Sequence, residues 1–460
     1  MASSKKSRRR DLRAHVAGVL AKILKSNTHV ALAMSGGLDS VVLLDILHAL
    51  AKKLHFKLSA VHVNHQLSPN AGRWANFCRR WCKTLNVPIK ISKVTVSGAR
   101  ATGTEAAARE ARYRVYARLH ADYLVLAHHL DDQTETMVLQ LLRGSGVKGL
   151  SAMPEMRYQI NKSSPRIIRP LLDVPRSEIE RYARARKLRW VEDESNDNTA
   201  LDRNFLRHKV LPLISTRFPA YRETLGRAQR RIAEAAALLD QLGELDSRAA
   251  VQDGRLKAAV LRKLAPARAR NLLRYYFARK GLLMPSEKRL EEILQQITRS
   301  REDANVRVAL GDLDVRRFKG DVYVCRSRPA LDAEFCRNWQ GEHKLEISEL
   351  GGVMTFRHAK GKGIDYAKLM QHPVTIRVRR GGEKLRPDCK RPRRSLKDLL
   401  QESKIAPWER SCLPLLFSGD RLVYVPGIGI DCDYQAHAAQ SALLANWILK
   451  DTRDRSQKSK

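Results

Sequence analysis

The chain has 460 residues, 43% of them hydrophobic, and 86 lysines and arginines against 48 aspartates and glutamates, for a net charge of +38. That length exceeds one ordinary core and predicts two or three domains. The basic excess is the footprint of a polyanionic partner, while the absence of any long uncharged apolar run excludes a membrane-spanning helix.

In chain order, residues 1–14 read as a disordered basic arm, and alternating strand and helix signals follow through 15–217. Strands are predicted at Val30–Met34, Leu58–Val63, Ile89–Val94 and Leu124–Ala127, with helices over 40–53, 71–86, 104–120 and 132–143. Strands alternating with helices imply right-handed crossovers and a parallel sheet covered on both faces, so the fold class is α/β. Ligands of such sheets bind beyond the carboxyl ends of the strands. Residues 218–330 read as a mainly helical middle domain with short β-like stretches near 306–324. Residues 331–370 read as a linker, 371–450 as a small α+β domain, and 451–460 as a disordered tail. Seven scattered cysteines with no Cys-x-x-Cys pair predict reduced thiols in a cytoplasmic compartment and no zinc or iron–sulfur site.

Two clusters carry chemistry. After the first strand comes Ser35-Gly36-Gly37-Leu38-Asp39-Ser40, then a helical run. A strand, a glycine turn and a helix start direct backbone N–H groups at one point, which suits a phosphate. Ser35 and Ser40 add hydroxyls, and Asp39 supplies a carboxylate for Mg2+ or for placing a nucleotide. The Gly-Lys-Ser/Thr ending of a Walker loop is missing. The second cluster, His128-His129-Leu130-Asp131-Asp132-Gln133-Thr134-Glu135-Thr136, follows another strand. Asp132 and Glu135, three residues apart, share a helix face and can hold an ammonium, bind a cation or accept a proton; helix-dipole complementarity alone also favours acids there. Glu105, Arg109 and Arg112 share a face of another helix, a spacing that an exposed salt-bridged helix also produces.

In this order, these pieces resemble the tRNA(Ile)-lysidine synthases of the ATP-pyrophosphatase superfamily. The matching residues are Ser35–Ser40, His62-Val-Asn-His65, Glu105…Arg109…Arg112-Tyr113 and His128-His129…Asp132-Gln133…Glu135-Thr136. They continue with Arg143-Gly-Ser-Gly146, Arg169-Pro-Leu-Leu172, Asp193…Ser195-Asn196, Arg203-Asn204 and, near the end, Arg380-Gly-Gly-Glu383, Pro407-Trp408 and Val425-Pro-Gly-Ile-Gly429. Gln66 departs from the glycine that the family more often carries there.

The resemblance implies an ATP-pyrophosphatase (adenine nucleotide alpha-hydrolase-like) catalytic domain. It implies ligation of free L-lysine to C2 of the wobble cytidine of a CAU-anticodon isoleucine tRNA, using ATP and Mg2+ in the cytoplasm. By that reading Ser35–Ser40 bind the nucleotide and Asp39 the metal; Asp132 and Glu135 bind lysine; and Asp39, His128, Arg109 and Asp132 are catalytic. Arg112, Arg203, Arg207, Arg391, Arg393 and Arg394 would face tRNA or phosphate, in a monomer or homodimer with no membrane association.

Overall fold

A computed structural model of the chain describes residues 11–96, 103–157, 164–301, 304, 306–327, 334–403 and 405–449. Of the disordered arm expected over 1–14, residues 1–10 lie outside the described residues, as does the tail over 451–460, and the rest is corrected: Asp11 caps a helix that begins at Leu12. The chain divides into two units, residues 1–241 and 242–460.

The first unit is built on a six-stranded sheet ordered β3-β2-β1-β4-β6-β5. Its strands are β1 (His29–Ala33), β2 (Lys57–Asn64), β3 (Ile89–Lys93), β4 (Tyr123–Val125), β5 (Met156–Arg157) and β6 (Arg166–Ile168). All pair in parallel except the edge strand β5. Its longer helices include α1 (Leu12–Ala21), α2 (Leu38–Ala51), α3 (Ala71–Thr84), α4 (Thr104–Tyr116), α5 (Leu130–Leu142) and α6 (Arg176–Ala185). Side chains alternate across a strand. Val30 and Leu32 of β1 therefore enter the core with Val16, Leu43 and Ile179, whereas Ala31 faces the opposite layer with Tyr116, Leu119 and Leu124. Both sheet faces are covered, as the alternating signals required. The order reverses at β1, so the loops leaving β1 and β4 flank the crevice of the sheet.

In the second unit, α8 (Ala258–Lys263), α9 (Pro266–Arg279) and α10 (Glu287–Arg299) share a core with a five-stranded antiparallel sheet; α7 (Tyr221–Ala250) precedes them. That sheet contains β7 (Val251–Gln252), β8 (Arg255–Lys257), β9 (Arg307–Leu310), β10 (Leu313–Phe318) and β11 (Asp321–Arg326). The mainly helical expectation missed the β7–β8 hairpin, although its Asp253-Gly254 turn, both residues at positive φ, is a strong hairpin signal.

The linker expected over 331–370 is corrected. Within it lie β12 (Cys336–Asn338), β13 (Lys344–Ile347), β14 (Gly352–Lys360) and β15 (Ile364–Asp365). β14 pairs along its whole length with β22 (Ser441–Leu449), a partner about 90 residues away that local patterning cannot reveal. A second sheet joins β12 to β16 (Val374–Arg377), β19 (Leu415–Ser418), β20 (Arg421–Val425) and β21 (Gly429–Ile430). The short pair β17 (Lys384–Leu385) and β18 (Arg394–Ser395) precedes α11 (Leu396–Glu402). The expectation of reduced thiols throughout is also corrected, because Cys389 and Cys432 are bridged.

Candidate active site

The loop after β1 turns at Gly36, whose φ is +92°. A Cβ there would lie 3.0 Å from Val191 Cγ2 and 3.1 Å from Cys78 Sγ, so glycine is required on both conformational and steric grounds. The Gly36 N–H donates to Ser40 Oγ at 3.1 Å and the Gly37 N–H to Ser35 Oγ at 3.2 Å; Ser40 Oγ in turn donates to the Gly37 carbonyl at 2.9 Å. Leu38 and Asp39 open α2, where the first N–H groups lack intrahelical acceptors. The result is a small cradle of amides and hydroxyls at the positive end of a helix.

The second cluster sits across the switch point. His129 is buried and caps α5: its N–H donates to Asp132 Oδ2 at 3.0 Å, and its Nδ1 accepts from the Asp132 N–H at 3.4 Å. Its Nε2 lies 3.5 Å from Asp132 Oδ2 and 3.7 Å from Asp39 Oδ2. His129 thus joins the two clusters. The resemblance assigns His129 no role; its signal in the sequence is a polar ring in the cap position before Leu-Asp-Asp.

Charge balance here is tight. Burial drives Asp132 upward, but His129, Arg203, His128 and the His129 N–H outweigh it and hold the carboxyl at about 2. Asp39 moves the other way: burial raises it, His129 lowers it and the Asp132 charge raises it further, with the net shift upward. Its Oδ1 is buried with no hydrogen-bond partner. Burial lowers His128 to about 3, Asp132 opposing and Arg169, Arg203 and Arg109 assisting. Its Nδ1 accepts from Arg169 Nε at 3.3 Å, so this ring is neutral with its proton on Nε2.

Arg203 and Arg207 project from the polar segment beyond α6. Arg203 Nε donates to Glu135 Oε2 at 2.7 Å and its Nη2 to Asp132 Oδ1 at 2.8 Å. Arg207 donates to Glu135 Oε1 at 2.6 Å and Oε2 at 3.0 Å. Both carboxylates that the resemblance assigns to lysine are therefore held by arginines that it assigns to phosphate. Asn204 Nδ2 ties this segment down by donating to the Ser195 and Asn198 carbonyls at 2.8 and 3.0 Å. A cavity of about 560 Å³ opens beside Glu135, lined also by His129, Asp131, Arg176, Arg207 and Tyr221.

Arg109 and Arg112 are exposed on α4, whose Ala107, Ala108 and Ala111 are buried. Arg109 stacks over Tyr113, and Arg112 Nε donates to His65 Nε2 at 3.3 Å. His62 Nδ1 donates to the Met34 carbonyl at 2.8 Å, a bond that fixes the end of β1. Gln66 adopts φ +57° with its N–H on Asn64 Oδ1 at 2.8 Å, which explains why glycine suits that position. Arg391, Arg393 and Arg394 belong to the second unit, and each meets an acid: Asp388, the Asp431/Asp433 pair and Glu402 respectively. No group of three or more His, Cys, Asp or Glu able to hold a metal ion occurs among the described residues.

The chain matches the PP-loop domain family over residues 9–214, the TilS substrate binding domain over 256–323 and the TilS substrate C-terminal domain over 374–447. A tRNA(Ile)-lysidine synthase of Nitrosomonas europaea is 46% identical over 424 residues, covering 92% of this chain and 93% of its own. Another from Coxiella burnetii is 37% identical over 415 residues, covering 90% and 92%. Among solved structures, the U34-tRNA thiolase NcsA of Methanococcus maripaludis is 20% identical with a TM-score of 0.42, covering 48% of this chain and 78% of its own.

Proposed function

The chain belongs to the tRNA(Ile)-lysidine synthase family, and we propose that it joins free L-lysine to C2 of the wobble cytidine of a CAU-anticodon isoleucine tRNA, forming a carbon–nitrogen bond. The C2 oxygen attacks the α-phosphorus of ATP and pyrophosphate leaves. The lysine ε-amine then adds at C2 and AMP departs. One observation carries the reading: an amide-rich anion cradle and the Asp132–Glu135 carboxylate pair meet at one switch point through His129.

The Ser35–Ser40 amides and hydroxyls suit the charge that grows on departing pyrophosphate. For this, Ser35 and Ser40 rotate away from the Gly37 and Gly36 N–H groups they now satisfy. Mg2+ fits Asp39, whose Oδ1 is buried and unpartnered, with phosphate oxygens and water supplying the remaining ligands. When bound, the ion neutralises phosphate charge. Asp132 and Glu135 recognise the amino acid, and the adjoining cavity offers room for it. An incoming ammonium takes over contacts now made by Arg203 and Arg207, which frees those guanidiniums for the adenylate. His128, neutral, donates through Nε2 toward the activated base rather than removing the ammonium proton. Arg109 and Arg112 line the exposed side where RNA approaches.

The net charge supports a tRNA partner, with Arg391, Arg393 and Arg394 among its phosphate contacts. No helix of the described residues is long and apolar enough to cross a membrane. The test is incubation with labelled lysine, ATP-Mg and the CAU-anticodon tRNA. Label entering the tRNA, with one AMP and one pyrophosphate per lysine, supports the reading; tRNA binding without incorporation overturns it. Asp39→Ala should abolish AMP release and leave tRNA affinity unchanged.

A further inference from the structure

Cys389 and Cys432 stand 43 residues apart in sequence yet are bridged, with their Cα atoms 5.4 Å apart. Their surroundings are charged in opposite senses. Cys389, exposed, lies within Arg386-Pro-Asp-Cys-Lys-Arg-Pro-Arg-Arg394, which carries five cations in nine residues. Cys432 lies between Asp431 and Asp433. Arg386 donates to Asp433 Oδ1 at 2.6 Å, and Arg393 donates to Asp431 Oδ1 at 3.0 Å and Asp433 Oδ2 at 2.9 Å. The backbone adds the Arg386 N–H on Asp431 Oδ2 at 3.0 Å and the Cys432 N–H on the Arg386 carbonyl at 2.7 Å. The basic segment is thereby laid against an acidic turn, and the bridge pins it there.

We propose that Cys389 and Cys432 form a reversible redox modification site. A peroxide converts the dithiol to a bridge that holds Arg386 and Arg393 on Asp431 and Asp433 and withholds them from phosphate. In the first step the exposed Cys389 thiolate attacks a peroxide oxygen, giving a sulfenic acid and releasing one water from hydrogen peroxide. Cys432 sulfur then attacks the sulfenic sulfur, forming the S–S bond and expelling a second water. Two thiols and one hydrogen peroxide thus give one disulfide and two waters. A dithiol reductant reverses the change by thiol–disulfide exchange, itself becoming a disulfide. With the bridge open, the segment can leave the turn and exchange carboxylates for phosphates. Cys78 and Cys82 provide internal controls, since burial raises their thiols to about 12 and about 11, and thiolate is the reactive form.

That phosphate is what the segment meets rests on the tRNA partner proposed above. The experiment uses the full chain, reduced with dithiothreitol or treated with hydrogen peroxide and then desalted. Peptide mapping should find the Cys389–Cys432 bridge in the oxidised protein and its loss on reduction. Oxidised protein should elute earlier from heparin and bind the CAU-anticodon tRNA about tenfold more weakly. The slope of log affinity on log salt should fall by about 1.5 for two withheld cations. The double variant Cys389→Ser, Cys432→Ser should match the reduced protein under both treatments. A bridge to Cys336 instead, no bridge at all, or a mapped bridge with unchanged heparin elution and salt slope would overturn the proposal. Lysine incorporation by the reduced protein separates the two readings. An active enzyme whose RNA affinity ignores oxidation refutes only the redox site, and an inactive one with redox-dependent heparin elution refutes only the ligation.

Discussion

Glu135→Gln tests the charge arrangement most directly. Glu135 is 1% exposed and accepts three hydrogen bonds, one from Arg203 and two from Arg207, at 2.6 to 3.0 Å. The amide keeps the shape but removes the charge and turns one acceptor into a donor facing a guanidinium. Breaking a buried ion pair from one side costs about 3–5 kcal/mol, because the remaining charge stays buried. Each arginine side chain is about a quarter exposed, so water rescues part of the loss and the lower end, about 3 kcal/mol, applies. For a domain of this size that lowers Tm by about 6–12 °C. Urea unfolding followed by circular dichroism measures it, and adding Arg207→Ala should restore at least about 1 kcal/mol, since the pair is coupled. A loss under about 1 kcal/mol, with no rescue, would mean that the arginines are solvated and that Glu135 is not their anchor. In the same variant the KM for lysine should rise more than tenfold.

The remaining predictions concern pH, Asp39 and the glycine turn. His128 and His65 are held at about 3 and about 4 in the folded chain, both chiefly by burial, against an ordinary 6.5. The unfolded chain therefore takes up protons first, so the stabilisation is complete above pH 6.5 and is lost as pH falls toward 4 and 3. The loss approaches about 1.4 kcal/mol per pH unit for His128 and less for half-buried His65, whose charge water partly screens, and His65→Gln with His128→Gln should flatten that part of the urea midpoint–pH curve. Asp39→Asn should raise Tm at neutral pH, since the folded state raises this carboxyl and so disfavours its charge, while AMP release falls by at least about 10³-fold. A lower Tm would refute that sign. Gly36→Ala should destabilise by about 2 kcal/mol and weaken ATP binding, because its Cβ meets Val191 and Cys78 at a positive φ; an unchanged urea midpoint would refute the strain argument.

The residues that are neighbours in sequence specified their own local structure. A strand, Ser-Gly-Gly and a helix make the anion cradle because the turn chemistry is contained within six residues, and Asp132 and Glu135 share a face because helical spacing requires it. Alternation of strands and helices likewise dictated a parallel sheet with its crevice at the carboxyl ends. The tertiary structure decided what those pieces meet. Arg203 and Arg207 read as cations for phosphate, but the fold carries them about 70 residues back to neutralise Asp132 and Glu135. His129 gained its place only when the loops after β1 and β4 came together. The supposed linker became β13 and β14 because β22 lies far along the chain, and Cys389 became half of a bridge for the same reason. Periodicity and turn chemistry report short-range geometry, whereas pairing between distant segments depends on the packing of the whole unit.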